Sequence, residues 1–220
     1  MRRNHKHTSD AKQRLMDAGL DLFGKFSFDG ASTRMLTNRA QVNLSAIQYY
    51  FGGKEGLYRQ VVRSIAVEVG SLVKPRLNEI EIQLRENPSR EQGIQLFCDL
   101  IDFMISQFLG SPQTQKWLSI VIREQMEPTE AFDILYDGFL GPMFDCCFRL
   151  VSTASGASEN DPEVKVRTFA LMGQLLTFHI SRALIRRNLN WTHYGEEEVN
   201  AIRNTILGHV RTVLHRNGDI

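Results

Sequence analysis

The sequence is poor in the features that mark a secreted, membrane or catalytic protein. Cysteine is scarce and odd in number: Cys98, Cys146 and Cys147. The adjacent pair is not expected to bridge within one helix, so no disulfide framework is expected. No apolar run reaches the ~18–20 residues of a membrane span. The basic start, "MRRNHKHTSDAKQR", lacks the apolar stretch of a signal peptide, which points to a cytoplasmic protein with no membrane partner. There is no P-loop, no GxSxG, no HExxH and no dinucleotide glycine fingerprint. The six histidines are dispersed and none pairs with a cysteine at zinc spacing. Neither metal, cofactor nor enzymatic activity is therefore expected. Alternating strand patterns and hairpin turns are missing too, as are repeats and low-complexity tracts.

What remains is helix. A hydrophobic share of 42% is ample for a core and 23% charge suits a soluble chain. The chain reads as all-α, in roughly nine helical pieces. Ser9 or Thr8 caps a first helix from about Asp10 to Phe26, with Ala11, Leu15, Ala18 and Leu22 at helical spacing. Thr33 caps a short helix ending at Ala40, Asn43 caps the next at 44–51, and Gly52-Gly53 stops it. A long helix starts near Lys54 and should kink or break at Pro75. Further helical stretches fall at 90–110, 112–126, from Pro128 to about 155, at 163–187 and at 196–216.

Charge is uneven. The first sixty residues hold ten Lys and Arg against five acids, so with +1 overall the rest carries −4. A basic head on a mildly acidic body suits a head that meets an anion, although a solvated arm would look similar. Within the head, two short helices joined by a three-residue turn, behind a third, form a helix-turn-helix. Val42, Ile47 and Phe51 can lock the second helix into the core. Ser45 and Ala46 are small enough to approach base edges, and Gln48 can pair bidentately with adenine. Tyr49 and Tyr50 can bring hydroxyls to phosphates.

The run "TRMLTNRAQVNLSAIQYYFGGKEGLY" resembles the DNA-binding signature of TetR-family transcriptional regulators. With "REQMEPTEAF" further on, "VNLSAIQYYFGGKE" is similar to the CecR-type subgroup. The resemblance implies a three-helix DNA-binding head over residues 1–53 and a six-helix-like ligand-binding and dimerisation body over 54–220. It implies DNA contacts by Thr33, Arg34, Asn43, Leu44, Ser45, Ala46, Gln48, Tyr49, Tyr50 and Lys54. Gln41 departs from the family's usual turn glycine, which tightens the demand on its φ. Leu44 is ambiguous: a helical wheel tucks it into the core, whereas the resemblance aims it at DNA, where a thymine methyl would suit it.

The implied function is a ligand-responsive, homodimeric repressor that binds a palindromic double-stranded operator and is released by a small hydrophobic effector. Candidate effector-lining residues are Phe97, Met104, Phe108, Trp117, Val121, Phe144, Phe148, Gln174 and His179, while Arg123 and Glu124 read as an ion pair. Candidate dimer residues are Leu171, Leu175, Phe178, Ile202, Ile206 and Val210 on the last two long helices; some of these would serve as core instead. The alternatives are a redox-responsive regulator acting through cysteine, with Arg149 the nearest group that could favour a thiolate, and a ligand-independent DNA-binding protein.

Overall fold

The computed structural model describes residues 2–109 and 112–215; the side chains of residues 2–9, 112, 113 and 115 lie outside the described set. The expected caps Thr8 and Ser9 fall among those side chains. The elements are α1 (Arg2–Gly30), α2 (Thr33–Ala40), α3 (Ser45–Phe51), α4 (Lys54–Arg85), α5 (Arg90–Phe108) and α6 (Pro112–Met126). Then come α7 (Glu130–Leu135), a π-turn (Tyr136–Leu140), α8 (Gly141–Ser155), α9 (Pro162–Ile180), α10 (Arg182–Leu189) and α11 (Glu196–His215). Among the described residues there is no strand, and no helix is long and apolar enough to cross a membrane.

Local chemistry sets most boundaries, with some corrections to the sequence reading. The α1 backbone is already helical from Arg2, but regular helix breaks after Phe26, where Ser27 takes φ 68° and ψ 175°. The cap of α2 is Ser32, whose hydroxyl accepts from Met35 N at 3.2 Å; Thr33 is the first helical residue. Asn43 does not cap α3 with its side chain: Leu44 holds the cap position in right-handed helical geometry, and the Asn43 carbonyl accepts from Ala46 N at 2.9 Å. Pro75 does not interrupt α4. It lies on an exposed face, so the Ser71 carbonyl it leaves without a helical partner can be hydrated. Ser89 and Gln92 form a reciprocal capping box at the start of α5.

The long stretch from Pro128 divides. Helix α7 opens at Glu130 behind its cap Thr129, two residues later than the expected start at Pro128, and five residues around Gly138 widen into the π-turn before Pro142 enters α8. The stretch 163–187 also divides, at Ser181, whose backbone (φ −90°, ψ 17°) leaves helical geometry between α9 and α10.

The chain forms two compact units, one from residues 1–71 with 115–140, the other from 72–114 with 141–220. In the first, Leu15, Phe23, Leu36, Ile47, Leu57 and Val61 are closed from solvent. Burying each large apolar side chain stabilises the fold by about 1.5–3 kcal/mol relative to leaving it exposed. Helix α6 joins this unit through side chains: Arg123 donates to the Phe23 carbonyl at 2.6 Å, and Lys116 pairs with Asp21 at 2.6 Å. The approach is close at Gly24, where a Cβ would stand 2.7 Å from the Lys116 carbonyl oxygen. In the second unit α5 packs on α8 and α11, and α8 on α9. Gly93 lets α5 press on Thr153 of α8, since a Cβ there would come within 2.8 Å of the threonine methyl. Arg90 closes the C-terminal end of α11 by donating to the Leu214 and His215 carbonyls at 2.6 and 2.7 Å.

Candidate nucleic-acid interface

The turn between α2 and α3 is built on a strained residue. Gln41 stands in left-handed geometry (φ 53°, ψ 49°), and its N–H turns back to carbonyls at the end of α2. A side chain there costs about 1–2 kcal/mol that glycine would not. Val42 N donates to the Thr37 carbonyl at 3.1 Å, so the chain reverses tightly. Arg14 of α1 reaches across and donates through Nε to the Ala40 carbonyl at 3.0 Å, satisfying the exit of α2. The periodicity of α1 carried no hint of that role. At the far end of α3, Gly52 (φ 73°) and Gly53 (φ 129°) supply positive φ without a Cβ clash.

With the turn set, α3 divides its side chains sharply. Ile47 is buried (1% exposed), with Val42 and Phe51 half-buried beside it. Leu44 is 62% exposed and Tyr49 78% exposed, and Ser45 and Gln48 are exposed with them. The helix therefore presents one continuous uncharged face of small, amide and aromatic groups, with Leu44 on it and not in the core. Ala46 and Tyr50 are half-buried at its margins, and the Tyr49 and Tyr50 rings meet edge-on at 4.9 Å. Arg34 is exposed at the start of α2, Thr33 is half-buried, and Asn43 is exposed in the turn. Lys54 is half-buried with Nζ 4.3 Å above the Phe28 ring, so its ammonium is steadied by the ring face.

The head is braced by charge. Asp21 receives Arg39 of α2 at 2.9 Å and Lys116 of α6. Burial pushes its carboxyl pKa up, but the hydrogen bonds and charges of Lys116 and Arg39 outweigh this and hold it below the usual carboxylate value. Beneath them Tyr58 of α4 donates its hydroxyl to buried Glu124 of α6 at 2.5 Å. Burial first, and then that bond, push the phenol above its ordinary range. Glu124 also accepts from Thr129 N and Oγ1 at 3.1 and 3.0 Å. Arg123 and Glu124 therefore do not form the ion pair expected between them; each serves a different neighbour, because adjacent residues on a helix point about 100° apart.

Three comparisons decide the family. The profile described as bacterial regulatory proteins, tetR family, matches residues 15–61. The profile described as HTH-type transcriptional dual regulator CecR, C-terminal domain, matches residues 94–215. The HTH-type transcriptional dual regulator CecR of Shigella flexneri is 30% identical over 205 residues, covering 93% of this chain and 91% of that one. The chain belongs to the TetR family, with a CecR-type C-terminal domain.

Other TetR-type relatives are more partial. The regulator RutR of Escherichia coli K12 is 37% identical over 57 residues, 26% of this chain and 27% of its own. Among solved structures, AibR in complex with isovaleryl coenzyme A and operator DNA superposes with a TM-score of 0.62 at 12% identity, over 90% of this chain and 97% of that one. HlyIIR, a hemolysin II transcriptional regulator, gives 0.57 at 14% identity over 90% and 97%. At these identities the likeness shows the fold. Relatives and family are transcriptional regulators, not enzymes.

Of the candidate effector residues, Phe97 and Met104 are buried and Phe108, Phe144, Phe148, Gln174 and His179 are half-buried in the second unit; Trp117 and Val121 are buried in the first. Phe144 and Phe148 gather with Phe169, at ring separations of 4.7 and 5.7 Å from it. Gln174 and His179 already have partners, the His209 ring at 2.9 Å and the Phe108 carbonyl at 3.0 Å. Of the candidate dimer residues, Leu171, Leu175, Ile202, Ile206 and Val210 are buried inside the chain itself, and Phe178 is half-buried. Side chains already closed from water have little area left to give a second copy. The large apolar groups that α9 and α10 offer outward are Val166, Phe169, Ile180, Leu184 and Leu189, each more than half exposed.

Proposed function

We propose that this chain is a homodimeric, ligand-responsive repressor that reads a palindromic operator. The observation that supports it most is the exposed face of α3. Leu44, Ser45, Gln48 and Tyr49 stand outward above buried Ile47, uncharged and free to enter a major groove. Gln48 supplies a bidentate partner for adenine and Leu44 an apolar contact for a thymine methyl. Arg34, Tyr49, Tyr50 and Lys54 hold the flanking phosphates, with Thr33, Asn43 and Ala46 at the margin. The division of roles is residues 1–53 for DNA and 54–220 for effector and dimer, in the cytoplasm.

One such helix covers a few base pairs, so a two-fold dimer must set two of them about 34–36 Å apart. The outward stripe of Val166, Phe169, Ile180 and Leu184, with the side-chain-free Gly173 and Gly208, supports pairing through α9–α11. A small hydrophobic effector would bind the body better in the arrangement that misplaces the two heads. The neighbour seen with isovaleryl coenzyme A and operator DNA supports a fold that has room for both a small molecule and a duplex. Control through cysteine is the weaker reading: Cys98, Cys146 and Cys147 are all buried, and burial raises each thiol pKa, Cys146 to about 12.

Selection of preferred sites from random duplexes should recover a two-fold palindrome. Gln48→Ala should then relax discrimination at one position of each half-site by about 1–3 kcal/mol. Unchanged relative affinities across all operator variants would remove Gln48 from base reading; recovery of no preferred site would remove the operator.

A further inference from the structure

A recess of about 310 Å³ lies on the head between α1, the end of α3 and the first turns of α4. Among the described residues its polar lining is Lys12, Arg59, Arg63, Tyr50 and Gln60, with no carboxylate. Glycine opens it: a Cβ on Gly56 would sit 1.8 Å from the Phe51 carbonyl oxygen, so α4 passes the end of α3 with nothing between them. The Phe51 ring forms an apolar wall, and Lys12 Nζ hovers 5.9 Å from its centroid.

Its charge is poorly balanced. Lys12 and Arg63 are exposed, and among the described residues neither has an ion-pair partner. Arg59 has one, Glu130 at 3.1 Å, but that pair stands in solvent with the carboxylate 86% exposed. Such a pair is screened by water and easily exchanged. Three cations converging on one recess repel one another unless an anion stands among them. The unpaired arginine offers a planar fork suited to two oxygens of one anion, lysine adds a point charge, and the Tyr50 hydroxyl and Gln60 amide add neutral donors. A single carboxylate would leave most of that donor set idle. A tetrahedral phosphate, with several charged oxygens, uses it.

We infer that this recess, formed by Lys12, Arg59 and Arg63, is a phosphate-binding site separate from the base-facing side of α3. Phosphate of this kind has two sources: the backbone of DNA beyond the operator, or a free phosphorylated small molecule. The first source rests on the proposed DNA-reading function; the second does not.

The full chain is tested in two arms, as wild type, Arg63→Gln and Arg63→Lys. The exposed position makes a folding defect improper to the expectation, and unfolding curves of the three proteins check this. In the first arm, pyrophosphate is titrated without DNA at low salt by calorimetry. A free-ligand site gives one equivalent bound per chain, at least tenfold weaker in Arg63→Gln and partly restored in Arg63→Lys. In the second arm, the selected operator is embedded in duplexes with two or ten flanking base pairs, and affinity is followed against salt. A DNA-backbone site makes Arg63→Gln lose about one unit of salt slope on the long duplex only. Either pattern supports the site and names its source. Pyrophosphate binding and salt slopes both indifferent to Arg63→Gln would overturn it. Wild type that binds no duplex at all would refute DNA reading instead, and the pyrophosphate arm would still decide the site.

Discussion

The Tyr58–Glu124 bond offers a direct energetic test of how α6 is tied to α4. Tyr58→Phe keeps a ring that packs edge-on against Phe23 and Phe28 at 5.0 and 5.1 Å, and removes one hydroxyl. The acceptor is a carboxylate only 2% exposed, so water replaces the lost donor poorly. Hydrogen bonds to charged groups contribute about 1.5–3 kcal/mol, and that is the expected loss. Thr129 keeps its two contacts with Glu124, so the loss stays below that of an orphaned buried charge. Glu124→Gln and the double variant complete a cycle whose coupling should also be about 1.5–3 kcal/mol. Urea unfolding followed by tryptophan fluorescence in a Trp191→Phe background is a suitable assay, because Trp117, then the one tryptophan left, lies buried in the same unit as the bond. Since the phenol pKa is raised in the fold, the bond's contribution is fully present below pH 10 and disappears only as pH rises through the higher folded value. A coupling within about 0.5 kcal/mol of zero would refute the bond as a tie between the helices.

Asp21 titrates lower in the fold than unfolded, so its contribution is complete above pH 3.8 and is lost as pH falls through its folded value. Asp21→Asn should destabilise at neutral pH, with the gap from wild type shrinking in melts below about pH 3.8; a gap that is constant with pH would show that the Arg39 and Lys116 pairing contributes nothing. In the π-turn, Gly138→Ala would place a Cβ 2.8 Å from the Ala66 Cβ of α4, an overpacking worth about 1–3 kcal/mol. Ala66→Gly should restore most of that loss, and the absence of rescue would show that the contact is not what the glycine protects.

How far the sequence could be read depended on whether a feature is local. The Gly52-Gly53 stop, the sharp turn and the demand on Gln41 are properties of a few consecutive residues, and they stand in the structure as the chain spells them. The buried Ile47 and the break after Phe26 follow from spacing alone. Leu44 did not: an apolar residue on a wheel reads as core, and only the neighbouring helices decide that nothing covers it. The same limit explains Leu171, Leu175, Ile202, Ile206 and Val210. Periodicity shows which face of a helix is apolar, not whether the face meets its own chain or another. Pro75 read as a break because the sequence cannot show that the freed carbonyl lies where water can reach it. Tyr58–Glu124 spans 66 positions, and no local pattern announces it.

The placement of the three thiols has a practical side. Cys98, Cys146 and Cys147 all belong to the second unit, and among the described residues the first has none. Because burial holds them protonated and covered, an alkylating reagent can react only when that unit opens. Labelling rates therefore clock the opening of the second unit alone, while the fluorescence of a Trp191→Phe variant, which keeps Trp117 as its one tryptophan, follows the first. One substitution thus gives the chain separate reporters for its two halves, and the order in which they loosen under heat, urea or a bound molecule can be timed in one sample.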